Sequence, residues 1–125
     1  MSIPNDRRYS ESHEWFQVEG NHVTVGITKH ATDELTDITY VEMNPVGTEV
    51  SAGGSLGEVE SVKTTAEVLT VVGGTIREVN EDLTGDPSIL NEDPYQAGWL
   101  VKLEVADTSA IDGLMDDKAY EQLNG

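Results

Sequence analysis

Gly57-Glu58-Val59-Glu60-Ser61-Val62-Lys63-Thr64-Thr65-Ala66-Glu67-Val68 is the stretch whose reading decides this chain. Leu56 to Val62 and Ala66 to Val72 are strand-like runs, rich in β-branched residues that suit a pleated, half-buried surface. A turn must fall between them, which predicts a hairpin with Lys63 at its tip. The turn carries no Gly or Asn to announce it. Lys63 is one of only four lysines. A primary amine on a rigid protrusion stands clear of the body and within reach of a modifying enzyme. Its flexible stem would lengthen any attached arm. A plain surface lysine in an acidic loop explains the same residues, and the hairpin alone leaves both readings open.

Working outward, the pattern predicts further short strands. Trp15 to Val18 and Val23 to Ile27 flank a Glu19-Gly20-Asn21 turn. Thr28 is placed to cap a short helix through Lys29, Ala31 and Leu35, with Asp33 and Glu34 facing solvent. Ile38 to Met43 and Val46 to Val50 follow, then a Ser51-Ala52-Gly53-Gly54 turn. Thr75 to Val79 lies beyond a Gly73-Gly74 turn, Asn80 to Leu90 reads as loop, and Trp99 to Val105 is the last strand. From Asp107 the pattern turns helical, with Asp107 or Ser109 as cap and Ile111, Leu114, Tyr120 and Leu123 as the apolar positions. Val46-Gly47-Thr48 faintly echoes Gly73-Gly74-Thr75, as a duplicated hairpin unit would. The fold class expected is mainly β, a sandwich or small barrel with terminal helices on its flanks.

Composition narrows the function. The 125 residues include fourteen Val and twelve Thr against one Phe, and no Cys. Disulfides and thiolate metal sites are therefore excluded, and any thiol chemistry must come from a cofactor. The net charge of −17 disfavours nucleic acid and anionic membrane as partners. The same charge fits a salt-rich cytoplasm, where at about 1 M salt the Debye length is only ~3 Å. No apolar run approaches the roughly 18 residues of a membrane span, and the N-terminus lacks a signal-peptide core, so a cytoplasmic protein is expected.

Enzyme motifs are absent. There is no Gly-x-Gly-x-x-Gly and no Gly-x-x-x-x-Gly-Lys-[Ser/Thr]. Gly53-Gly54-Ser55-Leu56-Gly57 lies between strands and opens no helix. His13, His22 and His30 lack the His-x-x-x-His spacing of a helical metal site, so no metal is expected and all three read as surface or supporting residues.

Glu60-Ser61-Val62-Lys63 resembles the lipoyl-attachment signature of the glycine cleavage system H proteins. The resemblance extends over nearly the whole chain. Tyr9 with Ser12-His13-Glu14-Trp15 resembles the family's N-terminal strand, and Val25-Gly26-Ile27-Thr28 with Ala31 and Leu35 its first hairpin and helix. Asp37-Ile38-Thr39-Tyr40-Val41-Glu42, Gly74, Glu78-Val79-Asn80, Asn91-Glu92-Asp93-Pro94-Tyr95 and Gly98-Trp99-Leu100 also fit. The Asp-Pro-Tyr and Gly-Trp elements separate this family from other biotinyl and lipoyl carriers. Four departures stand out: Thr36 where Gly is usual, Val71 for a proline, Thr64 for Ala after the lysine, and Glu67 where Asp is frequent.

The resemblance implies a lipoyl-domain hybrid barrel-sandwich with short N-terminal and C-terminal helices. It implies one carrier domain over residues 1–125, its lipoyl-like core spanning about 24–105. It implies no catalytic turnover, but lipoic acid held covalently on Lys63. The arm would shuttle the aminomethyl group of glycine from a pyridoxal-phosphate glycine decarboxylase (P protein) to a tetrahydrofolate aminomethyltransferase (T protein). A dihydrolipoyl dehydrogenase (L protein) would reoxidise the dithiol, and a lipoyl ligase or transferase would install the arm. Ser12, Glu14 and Glu67 are the implied cleft residues gripping the loaded arm. A lipoyl donor serving other complexes and an unmodified binding protein of the same fold are the alternatives.

Overall fold

The alternating segments settle into two antiparallel sheets in the computed structural model, which describes residues 3–124. The ends of the expected 1–125 span lie outside the described residues. In chain order the strands are β1 (Arg8–Tyr9), β2 (Glu14–Glu19), β3 (His22–Ile27), β4 (Ile38–Met43), β5 (Glu49–Val50), β6 (Ser55–Ser61), β7 (Thr65–Leu69), β8 (Gly74–Val79) and β9 (Val101–Glu104). The helices are α1 (Lys29–Leu35), α2 (Asp82–Gly85), α3 (Ser88–Glu92), α4 (Ser109–Asp112) and α5 (Asp117–Asn124). One sheet runs β1-β2-β3-β9-β8-β5 and the other β4-β6-β7. This is the mainly-β, two-sheet architecture expected, with short helices beside it.

The strands bury branched residues between the sheets. Val23, Val25, Leu56, Ile76, Leu100 and Leu103 are fully excluded from solvent. Alternation in β6 is broken by a register shift between Ser55 and Gly57. Gly57 sits at φ +151°, and a Cβ there would collide with the Glu42 carbonyl. Only glycine permits that bulge. It lets Leu56, Val59 and Ser61 point inward while Glu58 and Glu60 point out.

The first half of strand β2 is buried on both faces because each side has its own cover. Phe16 faces the main core, while Trp15 joins Tyr9 and Tyr120 in a second cluster. Helix α5 brings Tyr120 to stack on Tyr9 at 5.0 Å. The Trp15 indole N–H donates to the Pro94 carbonyl at 3.0 Å, and the Arg7 guanidinium lies 4.4 Å from its ring centroid. The expected flanking role of the C-terminal helix is thus met.

Several segments differ from the sequence expectation. Asn80 to Leu90 is not loop throughout, since α2 and α3 occupy most of it. Each short helix delivers a fully buried leucine, Leu83 and Leu90. Burial of about 1.5–3 kcal/mol per side chain outweighs the weak intrinsic helicity of so few residues. The Asp86 carboxylate accepts from the Ser88 N–H and hydroxyl, holding the start of α3. Val46 to Val50 narrows to β5, because Thr48 N–H turns back onto the Pro45 carbonyl at 3.1 Å. Ala66 to Val72 ends as strand at Leu69, where the Thr70 hydroxyl bonds both the N–H and the carbonyl of Val72. The last strand is Val101–Glu104 rather than Trp99 to Val105. The two echoed segments lie side by side, Gly47 N–H donating to the Ile76 carbonyl and Ile76 N–H to Thr48.

Candidate functional site

A serine hydroxyl makes the Lys63 turn that no glycine makes. Ser61 is buried, and its Oγ accepts from the N–H groups of Lys63 at 3.3 Å and Thr64 at 3.2 Å. Its own N–H donates to the Thr64 carbonyl at 2.8 Å. Such a hydroxyl turn mimics a backbone turn and needs no left-handed residue. Val62 N–H donates to the Asp37 carbonyl at 3.1 Å, tying the tip to the start of β4. Backbone groups on both sides of Lys63 are therefore anchored, while Val62 is 67% exposed and Lys63 projects into solvent. Among the described residues the ion pairs use Arg7, Lys29, His30, Arg77 and Lys102, leaving the Lys63 ammonium outside every pair. The tip therefore presents an amine that no carboxylate among the described residues holds.

The outer face of the small sheet carries those acids. Glu42 pairs across with Glu58, and Glu58 with Glu67, so three carboxylates stand in one cross-strand row. Glu60 lies opposite Thr65 nearest the tip. Like charges placed directly opposite destabilise a sheet. The row is held by the buried side of the same strands.

The cleft candidates are only partly brought together. Glu14, which the resemblance implies as a cleft residue, is 2% exposed. Its Oε1 accepts from the hydroxyls of Ser10 at 2.5 Å and Ser12 at 2.6 Å. Its Oε2 accepts from the Leu69 N–H at 3.2 Å, closing the edge of β7. Three donors compensate a buried carboxylate that would otherwise be costly. Glu67 is exposed two residues before Leu69 on that strand, and among the described residues no hydrogen bond joins it to Ser12 or Glu14. Ser10 escaped the sequence reading, though its place four residues before an acid is the signal that could have found it.

The histidines also differ from expectation. His22 is exposed and isolated at the start of β3, but His13 and His30 meet with ring centroids 4.4 Å apart. His30 and Glu34 stand four residues apart on α1, and His13 arrives from another element. Helix α1 itself is capped as predicted, the Thr28 hydroxyl accepting from Ala31 N–H at 3.2 Å.

Residues 7–124 match the family described as Glycine cleavage H-protein. The chain is 47% identical to the glycine cleavage system H protein of Bacillus pumilus over 123 residues, covering 98% of this chain and 97% of that one. It is 44% identical to that of Staphylococcus saprophyticus over 125 residues, covering 100% and 99%. Among solved structures, the crystal structure of a glycine cleavage system H protein from Mycobacterium marinum superposes with a TM-score of 0.89. That chain is 40% identical, with 98% and 99% of the two chains covered. The anchored, unpaired lysine at a hairpin tip thus sits in a full-length match of both sequence and fold: the chain belongs to the glycine cleavage H-protein family, the lipoyl carriers of the glycine cleavage system.

Proposed function

We propose that Lys63 carries a lipoyl group in amide linkage and that the protein works as a carrier with no turnover of its own. The observation that carries this reading is the hairpin tip, where Ser61 and Asp37 hold the backbone on either side of a solvent-projecting amine. A lipoyl group held there would supply the sulfur chemistry a cysteine-free chain lacks, for carriage of the aminomethyl group of glycine between the decarboxylase and the aminomethyltransferase, with the dihydrolipoyl dehydrogenase as the third partner.

The chain's own residues do the positioning. Anchoring at Ser61 limits where the arm can start, so the reach of the tethered group sets its effective concentration at a docked partner, on the order of mM for a short flexible link. The row Glu42-Glu58-Glu67, with Glu60, presents one sign of charge beside the tip, which steers it toward basic docking surfaces on the partners and on the lipoyl ligase or transferase. Ser12 and Glu14, with Glu67, would hold a protonated amine on the arm's end and exclude water from it. Residues 1–125 act as one carrier domain in a cytoplasmic complex. Among the described residues no helix is long and apolar enough to cross a membrane.

The experiment is glycine decarboxylation with the three partner enzymes supplied and this chain as the only carrier. Lys63→Arg keeps the positive charge and cannot be acylated by a ligase, so activity should fall to the carrier-free background. Wild-type rates with Lys63→Arg would end the proposal.

A further inference from the structure

Away from the lysine hairpin, three metal-ligating side chains converge from separate parts of the chain. His30 and Glu34 lie one turn apart on the same face of α1, with His30 Nε2 2.6 Å from Glu34 Oε1. His13 comes from the turn before β2 and lays its ring against His30 at 35°. One ligand atom from each residue falls within 4.8 Å of the other two. Tetrahedral zinc, with bonds of ~2.0–2.1 Å, places its ligands about 3.3 Å apart. Side-chain rotations of roughly an ångström would close this set around an ion.

The cluster is built rather than accidental at His13. Its Nδ1 faces the Tyr120 hydroxyl at 2.6 Å, and that hydroxyl also meets the fully buried Thr28 Oγ1 at 2.8 Å. Partners of this kind fix ring orientation and tautomer in metal sites, leaving the other nitrogen as ligand. The backbone of His13 sits at φ +72°, a left-handed conformation uncommon for residues with a Cβ. Bonds from His13 N–H to the Ser10 carbonyl at 3.1 Å and from Thr28 N–H to the His13 carbonyl at 3.0 Å hold it there.

We propose that His13, His30 and Glu34 form a binding site for a zinc-class divalent cation, with one coordination position open to solvent. Two imidazoles and one carboxylate suit zinc or a neighbouring transition metal, and disfavour magnesium and calcium, which take oxygen ligands. The ion takes the place of the direct contact between His30 and Glu34. It fastens α1 to the turn before β2 and, through Tyr120, to α5.

The test uses the full chain without an affinity tag, stripped by a chelator and then titrated with cobalt(II) and with zinc. Cobalt should bind one-to-one with the intense visible absorption of a tetrahedral site. Zinc should displace it and raise the thermal midpoint of the protein. His30→Gln and Glu34→Gln, on a solvent-facing helix, should each weaken binding at least tenfold, while His22→Gln leaves it unchanged. Melting without metal shows that the variants fold. Failure of wild-type protein to bind either ion overturns the proposal. So does binding that survives both helix variants, or binding that His22→Gln removes.

Discussion

Replacing Glu14 separates a structural role from a sheltering one. The carboxylate is 2% exposed and accepts from Ser10 Oγ at 2.5 Å, Ser12 Oγ at 2.6 Å and Leu69 N at 3.2 Å. Alanine strips the acceptor from all three donors. The hydroxyls can turn elsewhere, but the Leu69 N–H at the strand edge is stranded, so a loss of about 2–4 kcal/mol is expected. Glutamine costs far less. Its amide oxygen can take the Leu69 N–H while its NH2 donates to the two hydroxyls, leaving only the lost charge assistance, about 1 kcal/mol. At roughly 4 °C per kcal/mol for a chain of this length, the glutamine variant should melt a few degrees low and the alanine variant about 10 °C low. A protonated amine on the loaded arm loses its charged partner in either variant. A charge-assisted bond of about 1.5–3 kcal/mol corresponds to a lifetime about tenfold shorter, or more. The assay is the decay of the methylamine-loaded form of Glu14→Gln against wild type, with the oxidised form as folding control. Equal lifetimes would refute the sheltering role, and a glutamine variant as unstable as alanine would refute the hydrogen-bond argument.

Three further outcomes follow from the geometry. Thr36 ends α1 at φ +65°, a conformation costly for a β-branched residue, so Thr36→Gly should stabilise the protein by about 1 kcal/mol after the entropy of glycine is offset; a lower melting point would contradict this. Burial pushes the Tyr120 phenol up to about 12 from its usual 10.0, and Tyr9 and Tyr95 shift the same way. The folded state thus holds these protons longer than the unfolded state. Stability should be full below about pH 10 and fall as pH rises toward 12, the slope easing in Tyr120→Phe; phenolate absorbance of all the tyrosines appearing near pH 10 in folded protein would exclude it. The Glu42-Glu58-Glu67 row should make the thermal midpoint rise with KCl from dilute to molar buffer, and a flat or falling midpoint would remove the self-repulsion argument.

Local pattern carried much of this fold. Ile38–Met43 emerges with the bounds read from its alternation, and Thr28 caps α1 through its hydroxyl as its position suggests. Helices α2 and α3 stayed hidden because neither is long enough to show a 3.6-residue period. The Asp86-Pro87 pair nevertheless marks a helix start, with a side-chain acceptor followed by a residue that gives up no needed N–H. At the site, Lys63 was legible from its flanking strands, whereas the Ser61 turn depended on seeing one hydroxyl serve two N–H groups. Glu14 was singled out through the family resemblance, but its burial is a tertiary fact that no local pattern shows. Thr36 was visible as a departure from its family, but its reason is the positive φ that glycine would accommodate. His13 meets His30 only because β2 and β3 pair and return the chain to α1.

The central claim is that Lys63 bears the lipoyl arm, and mass spectrometry of the protein from its natural host tests it most directly. Acylation turns an ammonium into a neutral amide and removes one positive charge from a chain of net charge −17. The intact protein should carry the mass of a single lipoyl group, and a peptide spanning Glu58 to Glu67 should contain all of it. Lys29, Lys102 and Lys118 should be unmodified. A lipoyl group on any of those three, or an unmodified Lys63 in a host with an active lipoyl ligase, would contradict the account.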